Sequence, residues 1–516
     1  MLFSPTVDHV LNRTSPGTQE ELVEHLDVLV VGAGLSGIGA GYRLQTQSPG
    51  RTYAILEARD DLGGTWDLFR YPGIRSDSDM FTLGFPFHPW KAAKAIADGP
   101  SILEYVHETA TSYGIDKHIR FGQRVVRASW SSEDALWTVE TTGDDYTCSF
   151  LYVCSGYYDY ESGYVVDFPG LKDFQGQVVH PQQWPDELDY SGKRVVVIGS
   201  GATAATLVPA MAPTAAHVTM LQRSPSYVTS RPAHDAFSDR VRALLPENLA
   251  HRVIRGKNVA VSTALYNAFR RWPAHAAWLL NSMAAKELPD SIPADPHFTP
   301  QYKPWDQRIC LVPDGDLFEA LRAGTASVVT DEIETFTPDG IRLRSGEELA
   351  ADLVVTATGL RMVALGKIEV TVDGRAVDPH DTFVYKGMML SGVPNLAWCI
   401  GYTNNSWTLR SDLTSQYVCR LLNHLDATGT SICVPEIDPA EYDAPPRPVV
   451  DLTSGYIRRA AAVLPRQGSS GPWRMRQNYP RDLVSLRFSR LTDGAMQFRS
   501  RAAKGQTIGA GGGGPV

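Results

Sequence analysis

Long apolar runs are missing from this chain. No stretch of about eighteen apolar residues occurs, so the sequence offers no membrane-spanning helix. The start, Met1-Leu2-Phe3-Ser4-Pro5, lacks the charged-then-apolar layout of an export signal. Cysteine is scarce. Cys148, Cys154, Cys310, Cys399, Cys419 and Cys433 are the six in 516 residues, and none stands in a metal-binding spacing. Free thiols in a cytoplasmic protein without a metal site are therefore expected. An excess of positive charge is also missing: the net charge of −9 argues against a nucleic-acid partner, while leaving room for a local basic face. What is present is an ordinary mixture, 43% hydrophobic and 20% charged, in a chain long enough for two or three domains.

Two segments share one pattern. Asp27-Val28-Leu29-Val30-Val31 runs into Gly32, and Lys193-Arg194-Val195-Val196-Val197-Ile198 runs into Gly199. Each is a β-branched run suited to a strand buried on both faces, followed by a glycine turn and an alanine-rich helical stretch. Strands and helices then alternate. The expected architecture is α/β, with two Rossmann-like dinucleotide-binding domains built on parallel, doubly wound sheets. Arg240 to Leu245 and Val259 to Ala285 read as helices interrupted by Pro246, Gly256 and Pro273, a helical insertion at about 235–290. After Gly359 the chain should return to the first domain, with a strand near Leu396–Ile400 and a helix near Thr408–Leu425. The expected division is a disordered extension (1–24), a first dinucleotide-binding part (25–160), a second dinucleotide-binding domain (161–360), the remainder of the first domain (361–500) and a flexible tail (501–516).

The first glycine turn, Gly32-Ala33-Gly34-Leu35-Ser36-Gly37, is GxGxxG directly after a strand. Its first glycine permits the turn, the second admits a pyrophosphate, and the third lets helix and strand pack closely. Glu57 ends the next strand, twenty residues after Gly37. An acid there bonds ribose hydroxyls and disfavours a 2′-phosphate, so this site takes FAD or NAD. A second turn and its sequel, Gly63-Gly64-Thr65-Trp66-Asp67-Leu68 and Arg75-Ser76-Asp77, either lie against an extended flavin or form a structural loop.

The second turn motif, Gly199-Ser200-Gly201-Ala202-Thr203-Ala204, is GxGxxA. The position equivalent to Glu57 is Arg223, followed by Ser224. A guanidinium there can pair with the 2′-phosphate of NADP. The contrast of acid with arginine implies FAD at one site and NADPH at the other.

Between the two sites, Phe174-Gln175-Gly176-Gln177-Val178-Val179-His180-Pro181-Gln182-Gln183-Trp184-Pro185 matches F-x-G-x-x-x-H-x-x-x-W-P. This run resembles the fingerprint of type I Baeyer–Villiger monooxygenases. Related N- and S-oxidising flavin monooxygenases usually end the motif in Tyr or Phe, so Trp184 favours the Baeyer–Villiger branch. The stretches Gly64 to Met80, Trp305-Asp306-Gln307-Arg308 and Lys386 to Gly392 look closest to the ethionamide-activating monooxygenases of mycobacteria. The resemblance implies an NADPH- and O2-dependent flavoprotein. Oxygen would be inserted beside a ketone carbonyl through a C4a-peroxyflavin, giving an ester or lactone. It also implies a catalytic Arg308 oriented by Asp77, a contribution of Arg75 and Val125 to cofactor binding, and a linker role for His180 and for Thr356-Ala357-Thr358-Gly359. Many members carry lysine before the catalytic arginine. Here Gln307 stands there, which throws phosphate recognition onto Arg223 and Ser224.

The substrate is poorly encoded. A small lipophilic ketone or sulfide fits the resemblance, with Trp407 and Met388-Met389 either lining an apolar pocket or packing the core. From Asn248 to Lys286 there are six basic residues and no acid: Arg252, Arg255, Lys257, Arg270, Arg271 and Lys286. This is either the solvated face of a helical lid or a peripheral contact with an anionic membrane surface. Three rival readings stand beside the Baeyer–Villiger one: a heteroatom oxygenase acting on sulfide, thioamide or amine, a disulfide reductase, and a redox sensor without turnover. The oligomeric state is not encoded.

Overall fold

The computed structural model describes residues 23–442, 447–450 and 452–501. The expected N-terminal extension and glycine-rich tail lie outside these residues, apart from their inner ends.

The strand Glu24–Val31 forms because Val28, Leu29 and Val30 are shielded on both faces. It pairs in parallel with Tyr53–Leu56 on one side and Tyr146–Val153 on the other. Leu396–Trp398 adds a parallel strand beside Tyr146–Val153, so the chain does return to this first sheet late in the sequence. Val125–Ser131 and Leu136–Thr141 extend the nine-stranded sheet as an antiparallel meander, with alternating burial along the outer strand.

The second sheet has five strands, all parallel, in the order Ala326–Thr330, His217–Gln222, Arg194–Ile198, Leu353–Thr356 and Gln177–Val179. The Phe174-to-Pro185 run therefore contains an edge strand of this sheet. His180 leaves that strand next to the end of Leu353–Thr356.

Helices Leu35–Gln47 and Trp407–Thr428 pack against each other over the first sheet. Arg43 pairs with Asp412 at 2.7 Å, and Ser48 donates to Asn423 Oδ1 at 2.9 Å. Segments more than 360 positions apart thus share one core. Gly37 makes the helix approach possible. A Cβ there would stand 1.9 Å from the carbonyl oxygen of Gly32.

The helical insertion is more regular than the sequence suggested. Its helices are Ala236–Leu244, Glu247–Arg271 and Pro273–Glu287. Pro246 and Pro273 do separate them, but Gly256 lies inside the long helix. Its position is exposed with open space beside its Cα. The cost of one interior glycine, about 1 kcal/mol, is outweighed by the packed inner face of Ala250, Ile254 and Val259. Three of the six basic residues also turn away from their expected surface role. Arg255 points inward and donates to the carbonyls of Phe81, Thr82 and Gly84. Lys257 pairs with Asp235, and Arg270 pairs with Asp306.

Gly37→Ala should lower stability by about 1–3 kcal/mol, the usual cost of overpacking a close contact. Gly201→Ala should not, since nothing lies within 4 Å of its Cβ position. Thermal unfolding of the two variants beside the parent checks this difference.

Candidate active site

A cavity of about 400 Å³ lies between the two sheets. One wall is the first glycine turn, where Gly32, Gly34 and Ser36 line it and Gly37 stands behind in the helix packing. The Ser36 hydroxyl accepts from Trp407 Nε1 at 2.7 Å, which ties the start of one helix to the start of the other. Trp407 itself lines the cavity, whereas Met388 and Met389 are buried in the core and do not. The pocket role considered for the two methionines is therefore corrected to packing.

Glu57 is held from two sides. Its Oε2 accepts from the Ala33 N–H at 2.7 Å and its Oε1 from the Arg59 N–H at 3.0 Å. Burial raises its pKa, opposed by these backbone donors and by Arg59. Each oxygen retains a lone pair beyond those bonds. The second glycine turn braces the first: Gly63 N–H donates to the Ala33 carbonyl at 3.0 Å, and a Cβ on Gly34 would touch Gly64 at 3.6 Å. Gly64, Thr65 and Trp66 line the cavity, and Val125 joins them beside Gln123, whose N–H bonds the Glu57 carbonyl. Asp67 and Leu68 do not line it. Asp67 is buried behind the turn, paired with Arg59 at 2.6 Å and Arg70 at 2.8 Å, and Leu68 packs toward the second sheet.

Residues 75–77 cross toward the second sheet. Ser76 lines the cavity, and its hydroxyl accepts from the Ser78 N–H. Arg75 lines it too, but its guanidinium is engaged by Asp316. Asp77 Oδ2 accepts from Arg308 at 2.8 Å. Arg308 enters from the segment just before the strand Cys310–Pro313. Burial would lower its pKa, but the Asp77 charge, with smaller contributions from Tyr157, Tyr456 and Tyr158, drives it well above the ordinary arginine value. Arg308 is therefore a fixed cation at every workable pH.

At the second glycine turn, Ala202 and Thr203 reach the cavity, while Gly199, Ser200, Gly201 and Ala204 lie outside its lining. Ala204 is buried against the sheet. Ser200 Oγ donates to the Ser224 carbonyl at 2.8 Å, tying the turn to the end of the strand His217–Gln222. Arg223 and Ser224 are exposed beside it, and Arg223 has no ion pair among the described residues. The open side of Gly201 faces no protein atom. An unpaired arginine next to an open glycine turn is an arrangement that can receive a phosphorylated ribose.

The Phe174-to-Pro185 run does structural work at its start. Phe174 packs edge-on to Phe336 with ring centres 5.7 Å apart. At the other end, His180 and Gln182 line the cavity, and His180 Nε2 and Gln182 Oε1 are buried with no protein partner. Burial lowers the His180 pKa, which favours the neutral ring. The neighbouring crossover is tied by Thr358 Oγ1 donating to the Tyr164 carbonyl at 2.7 Å and Tyr164 N–H donating to the Gly359 carbonyl at 3.0 Å.

Sequence reasoning missed Tyr157, Tyr158, Tyr160, Lys367 and Tyr402, all in the lining. The aromatic run directly after the strand Tyr146–Val153 was the available signal. Tyr160 bonds Thr65 across the cavity at 3.1 Å, and Lys367 pairs with Asp159 at 2.8 Å. Cys154 also lines the cavity, but burial pushes its thiol far up, and all six cysteines are free. Among the described residues no group of His, Cys, Asp or Glu is placed to hold a metal.

Residues 76–292 match the model of the flavin-binding monooxygenase-like family, and residues 30–98 match that of an NAD(P)-binding Rossmann-like domain. The FAD-containing monooxygenase EthA of Mycobacterium tuberculosis is 52% identical over 487 residues, spanning 93% of this chain and 99% of that one. EthA of Mycolicibacterium smegmatis is 51% identical with the same coverage. This chain is an FAD-containing monooxygenase of that family.

Among solved structures, oxidized steroid monooxygenase bound to NADP superposes with a TM-score of 0.73 at 23% identity, covering 92% of this chain and all of that one. Open cyclohexanone monooxygenase superposes with a TM-score of 0.70 at 20% identity, over 93% of this chain. These likenesses establish the fold of the monooxygenase: two Rossmann-like units with the cavity between them.

Replacing Arg223 of this monooxygenase with Ala tests that arrangement: a pair with a 2′-phosphate would be lost, and the KM for NADPH should rise about 10–100-fold. The KM for NADH should barely move. Steady-state kinetics with both nucleotides makes the comparison.

Proposed function

We propose that this monooxygenase is a Baeyer–Villiger enzyme that uses NADPH and O2 to insert one oxygen atom beside a ketone carbonyl, releasing an ester or lactone. The observation that carries the reading is the Arg308–Asp77 pair at 2.8 Å, set in the same cavity as the first glycine turn. Cations that serve only dinucleotide binding belong at phosphates. This one stands against a carboxylate and a group of tyrosines instead.

The residues present fit FAD and NADP. Gly32, Gly34, Ser36 and Gly37 form a cradle at a helix start for a pyrophosphate, and Glu57 offers fixed lone pairs for ribose hydroxyls. Gly64, Thr65, Trp66, Arg75, Ser76 and Val125 would flank the rest of the flavin nucleotide, with Asp67 and Leu68 supporting that turn from behind. The unpartnered His180 Nε2 and Gln182 Oε1 give a ligand further polar atoms to meet. Gly199, Ser200, Gly201, Ala202, Thr203 and Ala204, with Arg223 and Ser224, would hold NADPH. On this reading the FAD domain is made of 25–160 and 361–500, and the NADP domain of 161–360. Bound FAD supplies the electron transfer from NADPH and the activation of O2.

The chain's own work is positional and electrostatic. Arg308 stabilises negative charge that builds on the attacked carbonyl oxygen, in a cavity walled by Tyr157, Tyr402 and Trp407. Asp77 holds the guanidinium in place and keeps it charged. The oxidised substrate is a lipophilic ketone, with sulfide or thioamide oxidation as the competing chemistry.

We also propose peripheral membrane contact through the helical insertion. Trp278 and Trp272 are 70% and 57% exposed, beside exposed Val261, Leu265, Leu279 and Met283. So many large exposed apolar side chains on two successive helices are unusual for a free surface. Arg252, Arg271 and Lys286 are exposed and have no ion pair among the described residues, and no acid lies between Asn248 and Lys286. Basic residues around exposed tryptophans match an anionic bilayer. Among the described residues no helix is long and apolar enough to cross a membrane.

An aerobic NADPH-consumption assay over ketones and sulfides, with products identified by mass spectrometry, tests the main reading. Ester formation supports it, and sulfoxide as the sole product favours the heteroatom chemistry. Arg308→Ala should keep bound flavin and lower ester formation by about 10²–10³-fold. Arg308→Lys should bring in a loss of activity at lower alkaline pH than the parent shows, because a lysine deprotonates near about pH 10 and burial lowers that further. The membrane proposal predicts co-sedimentation with phosphatidylglycerol vesicles and not with phosphatidylcholine vesicles, weakened in Trp272→Ser/Trp278→Ser. Full recovery in the supernatant with both lipids would refute it.

A further inference from the structure

We infer that a second cavity is a carboxylate-recognising vestibule, so that the natural substrate is an oxo acid: an anionic head on an apolar chain bearing the ketone. The ketone part rests on the Baeyer–Villiger reading above, whereas the carboxylate part rests on separate residues.

The second cavity has a volume of about 590 Å³ and is lined by Arg447, Arg474, Arg476 and Arg481, with Thr403 and Gln477 among its polar neighbours. Among the described residues no aspartate or glutamate lines it. Among the described residues none of the four guanidinium groups has an ion pair, although this chain carries 57 acidic residues against 48 basic ones. Two described acids close in sequence are engaged elsewhere. Asp482 accepts from Tyr402 and from Arg410, each at 2.7 Å, and Glu441 is bonded by Ser469 and Ser470. All four arginines are exposed around the hollow, and an anion entering it would meet a concentration of positive charge. The planar arginine fork suits a carboxylate, which it binds through two parallel hydrogen bonds.

The vestibule adjoins the larger cavity through a single loop. Thr403 lines the vestibule, while its neighbours Tyr402 and Asn405 line the larger cavity. Gln477 anchors the loop: its Oε1 accepts from the Thr403 N–H at 3.1 Å, and its carbonyl accepts from Asn404 Nδ2 at 2.8 Å. A head group held by the arginines would direct its chain over this loop toward Trp407 and Arg308. The phosphate-binding candidates Arg223 and Ser224 line neither cavity, which keeps the cationic hollow distinct from the proposed NADPH site.

Binding without turnover separates this inference from the reaction. The flavin-loaded full chain is titrated calorimetrically with dodecanoate, dodecyl phosphate and dodecanol, none of which carries a ketone. Dodecanoate should bind about tenfold or more tighter than dodecanol at low salt, and the advantage should shrink at high salt. It should vanish in Arg474→Glu/Arg476→Glu and weaken severalfold in the milder Arg447→Gln, with the KM for NADPH unmoved in both. Equal binding of acid and alcohol, or an advantage that survives the charge reversal, would overturn the vestibule. A tenfold preference for the phosphate over the carboxylate would overturn the choice of head group. Carboxylate binding with no oxidation of any ketone would instead count against the Baeyer–Villiger reading alone.

Discussion

Two ion pairs of opposite sense cross the gap between the Rossmann-like units. On one side stand Arg75 and Asp77, two residues apart in a single loop. On the other stand Asp316 and Arg308, which flank the strand Cys310–Pro313. Arg75 meets Asp316, and Asp77 meets Arg308. A slip of the loop would bring like charges together, so the crossed arrangement fixes how the units face each other as well as holding them. The cavity is shaped by that register, and the fixed charge of Arg308 inside it is a consequence. A lone arginine there would bear the cost of burial without compensation. Pairing with Asp77 offsets that cost and fixes the cation in place, which the proposed oxygen chemistry requires.

Much of this was legible in the sequence because glycine and charge obey short-range rules. Gly37 must be glycine where a helix meets a strand turn, and Glu57 and Arg223 sit at equivalent ends of equivalent strands. The Phe174-to-Pro185 run was visible as a motif, but its edge strand was not, because the partner Leu353–Thr356 lies far along the chain. Other residues misled for physical reasons. Gly256 reads as a helix breaker, yet tertiary packing of one face holds the helix through it. Arg255 reads as a surface charge, yet three backbone carbonyls draw it inward. Asp67 stands within a run of cavity residues, but a four-residue helical turn points it behind the wall, where Arg59 and Arg70 neutralise it. Met388 and Met389 are apolar in any setting, and only the fold distinguishes core from pocket.

The two ends of the site differ in character. The nucleotide turns are recurrent, local and readable. The proposed substrate side draws on distant pieces: Tyr402 to Trp407, Tyr266 of the long helix Glu247–Arg271, and residues 447–448 and 467–481. An apolar, tryptophan-bearing face lies outside it and an arginine-lined hollow lies beside it. Both features suit amphiphilic molecules, and neither follows any local motif.

The most direct measurement of the central claim is isotope incorporation. Turnover of a ketone with NADPH under ¹⁸O2 should yield an ester carrying one labelled oxygen, in the bridging position beside the former carbonyl carbon. NADPH consumption that produces only hydrogen peroxide, with the ketone recovered and unlabelled across a panel of chain lengths, would contradict it.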